Sequence, residues 1–511
     1  MSRTTRLGPA VLVASLLAAA APAAAHASTP THWLVAARPG APAAHLAAVH
    51  HAHALRLRGT YAVPTEQAPA LRHALARAGL LRYAEPDVRL GHASTFETGP
   101  DQTYARGTVI APGLTPPAAF APIGVVDDLV DAAAVPDVAQ AKVIASSPAK
   151  TLDPAGRPIT AHGTEVASVA AGRADGQGVV GIAPGAPLLS YGYDEAHDPT
   201  CAEVVDGVLD LADAGAKVIN LSLEADQDCR TLDLAIGAAY GDGALVVASA
   251  GNEGEQGNPT TYPAVYPHVL TAGALDLGLA PASFSTAGAG VDLVAPGESV
   301  PVALPPTLDQ DGTADGLTRA TGTSFAAPIV SGVASWLIAA RPKLTPGQYA
   351  DLLRATAKDE GAAGWDAKTG FGLVDLAAAL TAPVPPADRG EPNDGVDFVD
   401  GSVFTKPDPY TSGTVKATIA PVEDPADVYR VRVKAGGRLT ARLTGGAPAN
   451  VYVYSGKVKS LTARPLAKSH TNVTARNRTG RPATFYVAVR ITAGAQRAAT
   501  SNPYTLAIAR R

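Results

Sequence analysis

At 511 residues the chain is too long for a single hydrophobic core, so two or three folded units are expected. Apolar residues are 46% and charged residues 17%, a balance that argues against wholesale disorder. A net charge of −5 over this length predicts no grip on nucleic acid and no attraction to a membrane surface, and the 50 glycines and 43 prolines follow no collagen-like period.

Residues 1–27 read as a secretory signal peptide. Arg3 and Arg6 supply the positive start, Val11 to Ala21 is an apolar run too short to span a bilayer, and Ala25-His26-Ala27 is a small-x-small cleavage site. The reading implies a secreted, extracellular protein with no stable membrane insertion. Residues 28–91 show an extended start at His32–Ala36, a helical Ala/His/Leu stretch, a strand-like Leu57–Val63, a helix near Gln67–Ala78 and an extended Arg82–Leu90. That is a compact β-α-β-α-β unit. Residues 92–105 form a polar joint.

Residues 106–381 alternate apolar runs with amphipathic helices, which predicts an α/β fold with a mostly parallel sheet covered on both faces. The strand runs are Ile123–Val126, Pro187–Tyr191, Lys217–Leu223, Ala244–Ser249, Val269–Leu275 and Val291–Val294. The helices include His162–Gly172, Cys201–Ala214, Thr231–Tyr240, Ser324–Ala340 and Thr345–Ala357. The only cysteines, Cys201 and Cys229, precede helices on either side of one strand, which puts both at one edge of a right-handed βαβα array. One disulfide is expected in an exported chain, closing a loop of about 28 residues worth roughly 3.5 kcal/mol. A proline-rich linker, 382–390, leads to residues 391–511, where strands alternate apolar and polar side chains between glycine turns. This predicts an antiparallel β-sandwich. It contains two glycosylation-type triplets, at Asn472 and Asn477.

Four local patterns carry chemistry. Ile123-Gly-Val-Val-Asp127 delivers an acid at the C-terminal end of an apolar strand, where sites form in open α/β sheets. His162-Gly-Thr-Glu165 opens a helix with a potential general base. Ser249-Ala250-Gly251-Asn252 ends a buried strand in small residues and an amide able to donate to an oxyanion. Gly322-Thr-Ser324 starts a long apolar helix with a hydroxyl, and Pro328 is expected in or near its first turn. Singly, each reads as an ordinary cap or turn residue. Together they supply acid, base, oxyanion donor and nucleophile at the edge of one sheet.

In this order the patterns resemble the subtilisin-like (S8-type subtilase) serine peptidases, over about residues 120–380. Lesser matches are Val218-Ile-Asn-Leu-Ser222-Leu223 and Tyr262-Pro-Ala-Val-Tyr-Pro267. The resemblance implies Ser324 as nucleophile, His162 as base, Asp127 as its orienting acid and Asn252 as oxyanion donor, with no catalytic metal. It implies a secreted endopeptidase acting on proteins or peptides. Ser222, Leu223, Glu224, Ser249, Ala250, Gly251 and Thr261 are the substrate-binding positions it implies. The chain departs from the family at several points. Asp128-Leu129 follows the acid where Thr/Ser-Gly is usual, and Glu165 stands where many relatives carry a second His. Glu224 replaces a Gly at the binding edge, which either favours basic substrate side chains or narrows the groove. Thr261, where Gly is common, suggests a shallower pocket. A catalytically inactive subtilase-fold binding protein is the alternative reading.

Residues 28–91 resemble the inhibitory propeptide of these enzymes through Leu81-Arg-Tyr-Ala-Glu-Pro-Asp-Val-Arg-Leu90, which makes the chain a zymogen cut within 91–105. Residues 391–511 resemble the pre-peptidase C-terminal domain through Glu391-Pro-Asn-Asp394 and Asp424-Pro-Ala-Asp-Val-Tyr429. Such a domain binds substrate, a surface or structural calcium, or only stabilises the enzyme. A monomer is expected.

Overall fold

The computed structural model describes residues 30–91, 95–97, 103–146, 160–193, 198–388, 390–404, 406–445, 448–492 and 494–511. The signal-like stretch 1–27 and much of the 92–105 joint lie outside the described residues.

A seven-stranded sheet forms the centre, in the order Val291–Pro296, Val269–Leu275, Leu245–Ser249, Val218–Leu221, Ile123–Asp127, Leu188–Gly192, Lys142–Ser146. Every adjacent pair is parallel. The strands are apolar throughout because both faces are covered. Ile123, Val125, Leu245 and Val247 point into one core with the His162–Ala171 and Thr323–Ala340 helices. Val126, Ile219, Val246 and Ala248 point into the other with the Cys201–Asp213 and Arg230–Gly241 helices. The Thr323–Ala340 helix is apolar and long enough to cross a bilayer, and it is buried in the first core.

From the Ile123–Asp127 strand the chain crosses to the Lys142–Ser146 edge, returns to place Leu188–Gly192 between them, and then switches to the other side of Ile123–Asp127 with Val218–Leu221. Crevices open at the carboxyl ends of strands at such a switch. Asp127 and Ser222 stand on either side of it. The Lys142–Ser146 edge strand was not foreseen; its partly polar, exposed pattern lacks the continuous apolar run that marks the inner strands. The disulfide joins Cys201 to Cys229 with Cα atoms 6.7 Å apart.

The N-terminal unit is a four-stranded antiparallel sheet carrying two helices, Ala41–Val49 and Ala68–Arg77. Its last strand ends at Pro86, earlier than Leu90. The next residues leave their own sheet and pair with the α/β body. Cys201 N–H donates to the Val88 carbonyl at 2.6 Å, Leu90 N–H to Pro199 at 2.8 Å and Gly91 N–H to Glu224 at 2.7 Å. Two carboxylates from this segment cap two helices. Asp87 accepts from Ala202 N–H at 3.0 Å, and Glu85 accepts from Thr231 N–H at 2.8 Å. Acid at a helix N-terminus satisfies otherwise orphaned N–H groups and meets the positive end of the helix dipole.

Residues 413–510 form two four-stranded antiparallel sheets packed face to face over Val431, Leu439, Val451, Val487 and Leu506. Three strands beyond those legible in the sequence complete them, Gly413–Ile419, Ala467–Ser469 and Asn472–Arg476. Asn477 is 1% exposed and donates to the Val433 and Arg481 carbonyls, so the acceptor amide of its triplet is buried in the folded protein. Buried ions tie the sandwich to the α/β body. Arg497 pairs with Asp292 and Glu423, and Arg354, which also reaches Asp351 at 2.6 Å, lies 3.8 Å from Glu423.

Candidate active site

Asp127 is the last residue of its strand and is fully buried. Its Oδ1 accepts from Asp128 N–H at 2.8 Å and from the Tyr193 hydroxyl at 3.5 Å, and lies 2.8 Å from His162 Nδ1. His162 is the first residue of its helix. Gly163 makes this approach feasible: a Cβ there would lie 2.1 Å from the Asp128 carbonyl oxygen and 3.1 Å from Asp127 Cβ. The neighbouring Asp128 accepts from the Thr160 hydroxyl.

Ser324 is the second residue of its helix, and the ring of the next residue, Phe325, lies 5.7 Å from the His162 ring. The hydroxyl and the imidazole are therefore at the same edge of the sheet. Ser324 Oγ donates to the Ser222 carbonyl at 3.4 Å. Pro328 sits in the second turn rather than the first, inside the helix. It has no N–H for the Ser324 carbonyl four residues back. The Ser222 hydroxyl replaces that donor at 2.7 Å, and Asn220 Nδ2 in turn donates to Ser222 Oγ at 2.8 Å. The proline thus leaves an acceptor that pins the Ser222 edge to the start of the helix.

Asn252 follows the Leu245–Ser249 strand after Gly251, whose φ of 104° turns the chain. Asn252 Oδ1 accepts from Thr323 N–H at 2.9 Å and from the Thr323 hydroxyl at 3.1 Å. The amide orientation is fixed by these contacts, with Nδ2 as the end turned away from Thr323. The binding-edge residues converge as well. Ser249 Oγ donates to the Leu223 carbonyl at 3.4 Å, joining the two edges. Thr261 Oγ1 donates to the Ala250 carbonyl at 2.7 Å, below them. Glu224 Oε1 accepts from Asn252 N–H at 3.3 Å.

Tyr193, Thr323, Asn220 and Glu253 support the site without having been singled out. Thr323 and Asn220 sit inside recognised motifs, whereas Tyr193 lies just beyond a strand end and carries no sequence signal. Glu165 also matters more than its place one turn into the helix suggested. It is fully buried, and burial with the nearby Asp127 and Asp128 pushes its carboxyl up to about 8.

Burial pushes the His162 imidazole down to about 4, against the pull of Asp128. A lowered value favours the neutral ring, so the charged form appears only as the pH falls through about 4, below the ordinary 6.5. In a full-length Ser324→Ala variant, the His162 ring protons should titrate with a midpoint near 4 by NMR. A midpoint at or above 6.5 would mean that the neighbouring carboxylates outweigh burial.

The subtilase family model matches residues 101–372, a span that takes in Asp127, His162, Asn252 and Ser324. Fervidolysin of Fervidobacterium pennivorans is 36% identical over 247 residues, covering 44% of this chain and 35% of fervidolysin, so the match spans about a third of that relative. Subtilisin DY of Bacillus licheniformis is 34% identical over 221 residues, covering 43% of this chain and 77% of subtilisin DY. In fold, the chain is similar to the crystal structure of fervidolysin, a keratinolytic enzyme related to subtilisin, with a TM-score of 0.59 at 20% identity over 94% of this chain and 92% of that one. A match across more than half of the residues, together with the conjunction of acid, imidazole and hydroxyl at one sheet edge, makes this chain a member of the subtilase family.

Proposed function

We propose that the protein is a secreted serine endopeptidase that hydrolyses peptide bonds through an acyl-enzyme and is made as an autoinhibited precursor. The observation that carries this reading is the 2.8 Å contact of Asp127 with His162 at the edge where Ser324 and Asn252 also converge. Ser324 Oγ attacks the scissile carbonyl, and His162 takes its proton and later returns it to the leaving amine. Asp127 holds the Nδ1–H tautomer and stabilises the imidazolium. Asn252 Nδ2 and the Ser324 N–H donate to the oxyanion.

The precursor reading rests on strand addition. Gly91 and Glu224 form an antiparallel bridge with reciprocal bonds of 2.7 and 3.0 Å, and Thr95 pairs with Thr321 on the far side. A chain laid along the binding edge in this way occupies the place of a substrate. Autolytic cleavage is assigned to the segment that follows this bridge, within 91–105. In this reading 1–27 is the signal peptide, 28–91 the inhibitor, 106–381 the catalytic domain and 391–511 an accessory domain.

Structural calcium fits the accessory domain. Asp388, Glu391, Asp424 and Asp427 bring carboxylate oxygens within 4.8 Å of one another. Glu391 Oε1, Asp424 Oδ1 and Asp427 Oδ1 are buried without a hydrogen-bond partner. An all-oxygen donor set of this charge suits a hard divalent cation.

A fluorophosphonate should label the mature protein, and Ser324→Ala should abolish both labelling and peptide hydrolysis. Asn252→Ala should keep the label but lower kcat about 10²–10³-fold. A folded, mature protein that takes no label would be a binding protein instead. N-terminal sequencing of the mature form should give a start within residues 92–105, while Ser324→Ala stays uncut; a start elsewhere breaks the precursor reading. Calcium at about 100 times its Kd should stabilise the protein by about 2.7 kcal/mol, and Asp427→Asn should lose that gain. Equal unfolding midpoints in calcium and in chelator would remove the site.

A further inference from the structure

The groove beside the nucleophile has two walls. Ser222-Leu223-Glu224 continues one central strand, and Ser249-Ala250-Gly251 ends its neighbour. Ser324 and Asn252 stand at the head of both walls, because Ser324 contacts the Ser222 carbonyl and Thr323 Oγ1 accepts from Gly251 N–H at 3.2 Å. A substrate side chain next to the scissile carbonyl has to enter between these walls.

That space holds protein side chains. A Cβ built on Gly251 would meet Glu224 Oε2 at 2.2 Å, Thr261 Cγ2 at 2.8 Å and Thr286 Oγ1 at 2.8 Å. There is no room for even one methyl group between Gly251 and the Glu224 carboxyl. Glu224 is also held in place. Its backbone is paired to Gly91, the next residue pairs with Tyr262, and its Oε1 accepts from Asn252 N–H. Its Oε2 is buried without a hydrogen-bond partner. Glu253, which also accepts from Asn252 N–H at 3.0 Å, lies beside it.

From this geometry, and resting on the peptidase reading above, we infer that Glu224 and Thr261 close the floor of the primary specificity pocket and restrict the residue before the cleaved bond to a small side chain, alanine above all. The Glu224 carboxyl works here as bulk rather than as charge. Burial and then Glu253 push it up, which favours the protonated form over a full charge facing a lysine or arginine. A larger side chain would have to displace a carboxyl that is bonded to the Asn252 N–H, and so would disturb the turn that presents the oxyanion donor.

The test is a series of internally quenched peptides with Ala, Leu, Phe or Lys before the cleaved bond. They are assayed with mature enzyme, Glu224→Gly, Glu224→Gln and Thr261→Gly. Wild type should prefer Ala over Leu and Phe by at least about 10-fold in kcat/KM, within the range a hydrophobic pocket can discriminate. Glu224→Gly should raise kcat/KM for Leu or Phe relative to Ala by about 10–100-fold. Glu224→Gln, equal in size and without the charge, should keep the wild-type profile, and Thr261→Gly should shift it in the same direction as Glu224→Gly. A wild-type preference for Lys that Glu224→Gln abolishes would overturn the inference and make Glu224 a cation acceptor. Profiles that neither glycine variant moves would overturn it too. In both of those outcomes the enzyme still takes a fluorophosphonate on Ser324; absence of the label would instead sink the peptidase reading, and this inference with it.

Discussion

A carboxylate and an imidazole have been withdrawn from water together at the carboxyl edge of a parallel sheet, and the site is organised around that pair. Asp127 is fully buried, a placement that a lone ionised carboxyl could not tolerate. Three donors on Oδ1 make it tolerable: the Asp128 amide, the Tyr193 hydroxyl and His162 Nδ1. The His162 helix can come this close only because its second residue is glycine. Once the imidazole is fixed, the Thr323–Ala340 helix packs Phe325 against it and brings Ser324 to the same edge.

The site is also rich in acids that cannot all ionise. Glu165 lies behind Asp127 and Asp128 with both carboxyl oxygens buried and without hydrogen-bond partners. Like charges in a desolvated space hold a proton rather than share a negative field, which is why Glu165 and Glu224 are both pushed upward. A neutral carboxyl occupies about the volume of an amide and acts as a packing group. Read as charges, these two residues suggest an electronegative cleft; as protonated acids they shape it.

Charge does different work between the folded units. Glu85 and Asp87 reach from the N-terminal unit to cap two helices of the α/β body, and Arg82 pairs with Asp397 beside the sandwich at 2.6 Å. Arg354 and Arg497 share Asp292 and Glu423 across the other seam. Buried ion pairs add little net stability over apolar contacts of the same shape, but breaking one strands its partner at a cost of about 3–5 kcal/mol. Such a seam therefore selects one docking geometry over its neighbours.

Much of this was legible in the residues alone. Parallel strands buried on both faces must be apolar throughout, and sandwich strands must alternate, so the two architectures announce themselves by period. The positions of Asp127, His162, Asn252 and Ser324 were readable because each sits where a regular element begins or ends, a place defined by local sequence. The edge strand Lys142–Ser146 and the short strands of the sandwich were not, because half-exposed strands carry weak patterns. Tertiary structure alone decided that Ser222 supplies the donor Pro328 lacks, and that Glu224 crosses to Gly251. Those outcomes depend on distances between segments far apart in the chain, and such distances are set by packing, which no local pattern encodes.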